Sequence, residues 1–511
     1  CTICIDWIVI KTPKGWPQTN QMPDDEYFGS DDAEQEIERL NRVAKQLFWT
    51  TPQNRKIHLT IPPTVYPPRE DTDVLAQVVQ QYPHPSGKQF LEIGCGSGAI
   101  SLFAAQLGFS VTACDINPYA VASSQNSAQS NNLEIDVREG GPGPKTDGEV
   151  RQWAGDTPHD VIVWNLPYLM PEKNTQHLGP LEEAALLDTD DKGLVNRLLH
   201  HIQSSNILAD DGVVYLLVSQ NERGKAARTL CLRNGFAVRT ITTHTFDDDE
   251  CLEVLGVWRP FQHHSKSYEE EINSTNTSLL NSDEKEGGFL QAGRQTAGHG
   301  RRGRPWSHED VAFAGSWVIH ERSTMPNPGL LQLQGGLALF EAIAALTESN
   351  DTQILKWPND VLLSIDGDLR KVGGILVEGK SQGKYSRVIL GIGCNISSLQ
   401  LEKDGYSIAT LQEVRSEITL TSFQAAIQAA VASWFEQKSG VKNLNSKSII
   451  AQYDSTLSSA MNSLGEPIYR NKGMVFLKTE SEGRIILQDH LKNTHLIQDG
   501  EDITWTNYAT N

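Results

Sequence analysis

The chain has 511 residues, with 44 Lys+Arg against 64 Asp+Glu and a formal charge of −20. At roughly 100–200 residues per domain the length predicts about three domains, and 38% hydrophobic residues supply apolar chain for more than one core. The acidic balance argues against a broad nucleic-acid-binding surface, and no run of about 18 apolar residues suggests a membrane-spanning helix.

Five of the seven cysteines stand alone, at Cys95, Cys114, Cys231, Cys251 and Cys394, and only Cys1 and Cys4 are close together. An odd count without a repeated pair spacing argues against a disulfide scaffold and a structural zinc site. No protein metal site is expected, and a reducing cytoplasm is the expected compartment. The apolar opening Cys1–Ile10 has no basic segment before it and no small-residue cleavage site, so no secretory signal is read there.

In chain order, residues 20–36 read as an acidic loop. Ile37, Leu40, Val43, Ala44 and Leu47 then recur at helical spacing. Pro62, Pro63, Pro67 and Pro68 break regular structure. Beyond them, strands are predicted at Phe90–Ile93, Val111–Cys114, Val161–Trp164 and Val213–Val218. Helices are predicted at Asp73–Gln81, Pro118–Asn131 and Lys192–Ser204. This alternation predicts an α/β unit with a parallel sheet covered on both faces. Arg259–Ser267 is polar and aperiodic, and a domain boundary is placed there. After it come a Gly/Arg-rich segment, a helix at Leu330–Leu346, strands at Val372–Val377 and Val388–Ile392, and a helix at Ser422–Lys438. From about 463, apolar and polar residues alternate between glycine turns, as in a small all-β module.

Phe90–Ile93 runs directly into Gly94-x-Gly96-x-Gly98, a turn whose backbone can approach a ligand with no Cβ in the way. The next strand ends at Asp115, where a carboxylate can accept both hydroxyls of a ribose; Glu92 precedes the turn. Asn165-Leu-Pro-Tyr168 follows the strand Val161–Trp164. A side-chain amide oxygen and a neighbouring carbonyl there can accept both hydrogens of a planar NH2 group, aligning its lone pair on an electrophile, while Tyr168 stacks on its plane.

On Tyr66–Thr72, Leu91–Gly98, Asp115–Pro118 and Asn165–Tyr168, residues 62–258 resemble the class I S-adenosylmethionine-dependent methyltransferases, in the branch of the release-factor glutamine methyltransferases. The family tetrapeptide is Asn-Pro-Pro-Tyr, with Leu166 here in place of the first Pro. The resemblance implies a Rossmann-like fold over 62–260 after a partly helical extension, 1–61. It implies S-adenosylmethionine bound by Glu92, Gly94, Gly96, Gly98, Asp115 and Asn165, with Asn165 and Tyr168 catalytic in N-methylation of a protein glutamine. DNA amino-methyltransferases share the tetrapeptide, but residues 61–260 carry 14 Lys+Arg against 26 Asp+Glu, which ranks a protein or small-molecule acceptor above DNA. A non-catalytic module that binds a partner or only S-adenosylmethionine remains the rival, on account of Leu166.

Downstream, Gly293-Arg-Gln-Thr-Ala-Gly298-His-Gly300-Arg301-Arg302-Gly303-Arg304-Pro-Trp306 concentrates guanidiniums among glycines, a pattern suited to phosphate and carboxylate. Lys356-Trp-Pro-Asn359-Asp360 and Arg370-Lys371-Val-Gly-Gly374 follow, then Gly391-Ile-Gly-Cys-Asn395; Ser274-Thr275-Asn276 lies upstream. In this order, these five motifs resemble the biotin protein ligases over residues 268–507.

The resemblance implies an α+β catalytic domain (268–460) and a small SH3-like β-barrel (463–507). Ser274, Thr275, Gln295, Gly298, Arg301, Lys371 and Gly374 would bind biotin. Arg302, Arg304, Trp306, Lys356, Asn359, Asp360 and Asn395 would bind ATP with Mg2+. Lys371, Arg301 and Arg304 would be catalytic, and the partner a biotin carboxyl carrier protein. Where the family loop commonly has Arg, this chain has His299. A lipoate ligase on the same scaffold is the rival, which the arginine loop and the β tail disfavour. No helix-turn-helix is apparent, so transcriptional repression is not expected; the acidic balance and the lack of a long apolar run argue against nucleic-acid and membrane partners. The whole reads as a bifunctional fusion.

Overall fold

The computed structural model describes residues 43–143, 150–167, 193–246, 250–304, 306, 311–322, 326–349, 352–383, 385–397, 402–403 and 406–508. It opens on an antiparallel hairpin, β1 (Lys45–Thr50) and β2 (Lys56–Ile61). This corrects the helix expected to run through Val43–Leu47. The period-two burial of Ile57, Leu59 and Ile61 demands an extended partner, and Trp49 is pinned by an indole hydrogen bond of 2.8 Å to Asp73. The earlier part of that expected helix lies outside the described residues.

Seven strands form the first large sheet: β3 (Gln89–Ile93), β4 (Ser110–Asp115), β5 (Asp136–Glu139), β6 (His159–Asn165), β7 (Leu208–Ser219), β8 (Ala237–Thr245) and β9 (Cys251–Trp258). Their order is β5-β4-β3-β6-β7-β9-β8. The first five are parallel, and β9 turns antiparallel between β7 and β8, so the sheet is mixed rather than wholly parallel. Helices α1 (Glu70–Gln80), α2 (Ala99–Leu107), α3 (Pro118–Ser130), α4 (Leu194–Ser204) and α5 (Glu222–Arg233) accompany it. Local chemistry starts them. Glu70, Asp71 and Asp73 sit in the first turn of α1 where the dipole favours acids, and α3 has Pro118 at its start with Asn117 capping Tyr119 N.

A second seven-stranded sheet holds β10 (Lys266–Ile272), β11 (Phe289–Gln295), β12 (Val311–Arg322), β13 (Gln353–Lys356), β14 (Asp360–Ile365), β15 (Asp368–Gln382) and β16 (Tyr385–Ser397). Their order is β10-β11-β12-β16-β15-β14-β13, antiparallel except for β10–β11. Helices α6 (Thr275–Leu280), α7 (Pro328–Thr347), α8 (Leu420–Phe435) and α9 (Ser446–Leu464) complete this half. By length and composition α7 would cross a membrane, yet it is largely buried between β15, α8, α9 and α5. Contact on several sides is why it is apolar nearly all round. The tail forms two three-stranded sheets, one from Lys472–Gly473, Pro467–Tyr469 and Ile503–Trp505, the other from Val475–Thr479, Ile485–Gln488 and Thr494–Ile497.

The halves share one continuous apolar core. Arg239 of β8, only 3% exposed, donates to the carbonyls of Ser433, Glu436 and Lys442 at 2.9, 3.1 and 3.1 Å, closing the C-terminal end of α8. Trp258 donates to Glu436 at 2.8 Å, Tyr215 to the Gly440 carbonyl at 2.6 Å, and Arg228 pairs with Glu341 at 3.1 Å. The stretch after Trp258 is therefore a short turn between two packed sheets.

Candidate active sites

The first site lies where chain order reverses, at the carboxyl ends of β3, β4 and β6, the place a doubly wound sheet leaves a crevice. Gly94, Gly96 and Gly98 all have positive φ (68, 50 and 79°), and a Cβ on Gly98 would meet Ser124 Oγ at 2.7 Å. Asp115 bridges the turn, accepting from Gly96 N and Asn117 N at 2.9 Å each. Burial raises its carboxyl above the usual range in spite of these donors. Glu92 is buried and accepts from the Ser101 hydroxyl; desolvation pushes its carboxyl up to about 8.

Glu92, Gly94, Gly96 and Asp115 line a cavity of about 250 Å3 together with Tyr66, Asp71 and Asn165, whereas Gly98 is not part of its wall. Asn165 Nδ2 donates to Asp71 Oδ2 at 2.9 Å, while Asn165 Oδ1 is shielded and has no partner among the described residues. Leu166 is buried, and its N–H donates to the Leu217 carbonyl at 3.2 Å, prolonging the β6–β7 pairing. Tyr168 lies outside the described residues.

In the second site, Asp360 at the start of β14 takes Lys371 Nζ at 2.6 Å and Lys356 Nζ at 3.5 Å. Burial opposes its ionisation, but the two ammoniums outweigh that and hold the carboxyl below its ordinary range. For Lys356 the balance reverses: burial lowers it in spite of Asp360. A Cβ on Gly374 would come within 3.1 Å of Asp360 Oδ1, so glycine leaves this wall open.

Lys371 Nζ sits 5.7 Å from the Trp306 ring centroid. That ring presses on Gly393, where a Cβ would lie 2.5 Å away, and Trp306 N donates to the Gly298 carbonyl at 2.8 Å. Asn359 and Asn395 donate their side-chain amides to the carbonyls of Ile375 and Ala409 at 3.2 and 3.3 Å.

A polar chain backs this wall. Thr275 N donates to Gln295 Oε1 at 2.7 Å, and Ser316 Oγ lies 2.7 Å from Thr275 Oγ1 and 2.6 Å from Asn276 Oδ1. Asn276 Nδ2 reaches Glu378 at 2.7 Å, and Glu378 reaches His299 at 3.3 Å. Ser274 caps α6, accepting from Thr277 N at 3.4 Å. The arginine loop turns toward the tail: Arg301 pairs with Asp499 at 3.1 Å, Arg302 with the same carboxylate, and Arg304 with Glu501 at 2.7 Å. Gly500 between those acids packs on Pro358, where a Cβ would be 2.5 Å from the ring.

Residues 69–179 match the methyltransferase small domain, and residues 268–395 match the biotin/lipoate A/B protein ligase family. A putative protein N5-glutamine methyltransferase of Methanocaldococcus jannaschii is 30% identical over 204 residues, 40% of this chain and 96% of that protein. The chain belongs to the protein glutamine methyltransferase family through its N-terminal part. A release factor glutamine methyltransferase of Lactococcus lactis is 25% identical over 43% of this chain and 83% of its own length. In the C-terminal part the match to the biotin/lipoate A/B protein ligase family extends over residues 268–395. There a biotin–[acetyl-CoA-carboxylase] ligase of Paracoccus denitrificans is 36% identical over 110 residues, 21% of this chain and 44% of that protein. The chain thus spans less than half the length of this curated ligase.

Around the methyltransferase pocket, sequence reasoning passed over Asp71 as a working residue, although it stands inside the quoted Tyr66–Thr72 motif. In the ligase half it passed over Ser316, Glu378, Asp499 and Glu501. The two tail acids, spaced to meet a run of arginines, were the available signal. Among the described residues, no cluster of three or more His, Cys, Asp and Glu converges as a metal site.

Proposed function

We propose that this chain is a bifunctional cytoplasmic enzyme that ligates biotin to a lysine of a carboxyl carrier protein and N-methylates a protein glutamine. The methyltransferase occupies 62–260, the ligase 268–460, and an SH3-like barrel 463–507. For ligation the carrying observation is the Lys371–Asp360–Lys356 cluster beside Trp306, backed by the Gly298–Arg304 loop. A carboxylate attacking the α-phosphate of ATP meets charge repulsion. Lys371, Arg301 and Arg304 offset it as the new O–P bond forms and pyrophosphate departs.

The mixed anhydride so formed is labile to water, and the glycine loop shields it until the carrier amine attacks the acyl carbon, loses its proton and expels AMP. Arg302, Asn359, Asn395 and Trp306 line the nucleotide side; Ser274, Thr275 and Gln295 hold the ureido ring, and Gly298 and Gly374 let the ligand approach the backbone. Mg2+ would arrive on the triphosphate, since it keeps most of its waters and binds chiefly through phosphate oxygens.

For methylation the carrying observation is the shielded, unpartnered Oδ1 of Asn165, a residue that lines the cavity beside the glycine turn. Asn165, with the Leu166 carbonyl, holds an acceptor NH2 so that its nitrogen lies in line with the sulfonium methyl of S-adenosylmethionine. The Leu166 hydrogen bond ties the start of the tetrapeptide to the sheet and weighs against a non-catalytic N-terminal half.

The test of the ligase is direct. With ATP, Mg2+, biotin and a carrier domain, the chain adds one biotin to one lysine, and Lys371→Ala abolishes it. Normal turnover in that variant would refute the role given to Lys371, and faster transfer of lipoate than of biotin would replace biotin as the substrate.

A further inference from the structure

We infer that Asp71 is a positioning residue that fixes which end of the Asn165 carboxamide faces the methyl-transfer pocket. The site is thereby committed to acceptors that donate N–H and closed to acceptor-only groups. The inference rests on the methyl-transfer reading of this cavity. Asp71 is 5% exposed and uses both carboxylate oxygens: Oδ1 accepts from Thr72 N at 2.6 Å, and Oδ2 accepts from Asn165 Nδ2 at 2.9 Å.

An ionised carboxylate has no hydrogen to give. It therefore meets the NH2 end of Asn165 and turns Oδ1 the other way, where that oxygen is shielded and unpartnered among the described residues. A buried acceptor without a partner, on a residue that lines the cavity, asks for a donor. A primary carboxamide or an exocyclic amine supplies one. A carboxylate, which has the same shape as a carboxamide, presents only lone pairs and is repelled. Discrimination of glutamine from glutamate thus begins at a residue that touches neither.

Asp71→Asn tests this because it changes no heavy-atom shape. Its new carboxamide keeps an oxygen toward Thr72 N and turns its NH2 to Asn165, so Asn165 is driven to flip and present a donor to the acceptor. Methyl transfer to a library of glutamine peptides is expected to fall about a hundredfold, with S-adenosylmethionine affinity by calorimetry within about twofold of wild type. Adding Asn165→Asp to Asp71→Asn puts an acceptor oxygen back into the pocket and is expected to recover about tenfold.

In selectively 15N-labelled protein, the Asn165 side-chain NH2 is expected to exchange slowly with solvent and to lose that protection in Asp71→Asn. Wild-type transfer in Asp71→Asn would overturn the inference, as would parallel loss of cofactor binding and activity. Wild-type protein that methylates no glutamine peptide, yet shows the protected NH2, would overturn methyl transfer while leaving the Asp71–Asn165 pairing in place.

Discussion

The two sites hold their charges in opposite ways. In the methyltransferase pocket the acids Glu92, buried, and Asp115, half-buried, are bonded to Ser101 and to backbone N–H groups, with carboxyls raised by desolvation. In the ligase half the cations of the loop are partly exposed and lie in ion pairs with Asp499 and Glu501 of the tail. The difference follows the chemistry proposed for each. Transfer to a neutral nitrogen needs orientation, which a rigid sheet end supplies. Joining two anions needs positive charge at the reacting centre, and these guanidiniums must exchange their tail carboxylates to supply it.

The largest test of that contrast removes the ground common to both sites. Arg239→Met deletes three charge-assisted hydrogen bonds, to the carbonyls of Ser433, Glu436 and Lys442, and leaves the buried Ser433 carbonyl without this donor. A loss of roughly 3 kcal/mol is expected. Both activities should then decline together on heating, and urea unfolding should remain a single transition by tryptophan fluorescence and circular dichroism. Two separated transitions would show that the halves are independent and that the contrast is merely between neighbours.

The sequence was legible where function is written in adjacent residues. Gly94, Gly96 and Gly98 announce a turn because glycine takes a positive φ at least steric cost, and Lys371 stands two residues before its Gly pair. Asp71 escaped because its partner is 94 positions away, and Asp499 because Arg301 is 198 away. Local pattern carries no information at that distance. The strand Lys266–Ile272 also gave no signal, since as an exposed edge strand its sequence KSYEEEI has almost no apolar face. The β1 strand was misread because Val43, Ala44 and Leu47 fit a helical spacing with residues before them, while the hairpin partner that overrules it lies further on. Leu166 shows the converse. A missing proline reads as lost rigidity, but the amide proton that leucine brings is spent on the Leu217 carbonyl.

Glu92 sharpens the buried side of the comparison. With its carboxyl near 8 in the free protein, it is mostly protonated at neutral pH. A cationic ligand in the same cavity favours the carboxylate, so it binds the deprotonated form more tightly. S-adenosylmethionine affinity should therefore rise with pH, by at most about tenfold per unit below 8, and level off above it. Calorimetry at neutral pH in buffers of different ionisation enthalpy should show release of up to about one proton on binding. Glu92→Gln should flatten the profile; a slope unchanged in that variant would move the titrating group elsewhere.

The exposed side predicts the smallest effect, and its direction is diagnostic. Arg301 and Asp499 are each about one-quarter exposed at the side chain, and Arg302 is more open at 61%. A pair in that setting is worth about 0–1 kcal/mol. If the tail acids hold the loop until an anion arrives, the anion displaces them at that cost, and Asp499→Asn should tighten ATP binding by about two- to fivefold. Added salt weakens the native pair as it weakens the new one, so the advantage of the variant should shrink as salt is raised. Weaker ATP binding in Asp499→Asn would mean the reverse: that the acid aims the guanidiniums rather than occupying them, and that the ligase site, like the methyltransferase pocket, is set before its ligand enters.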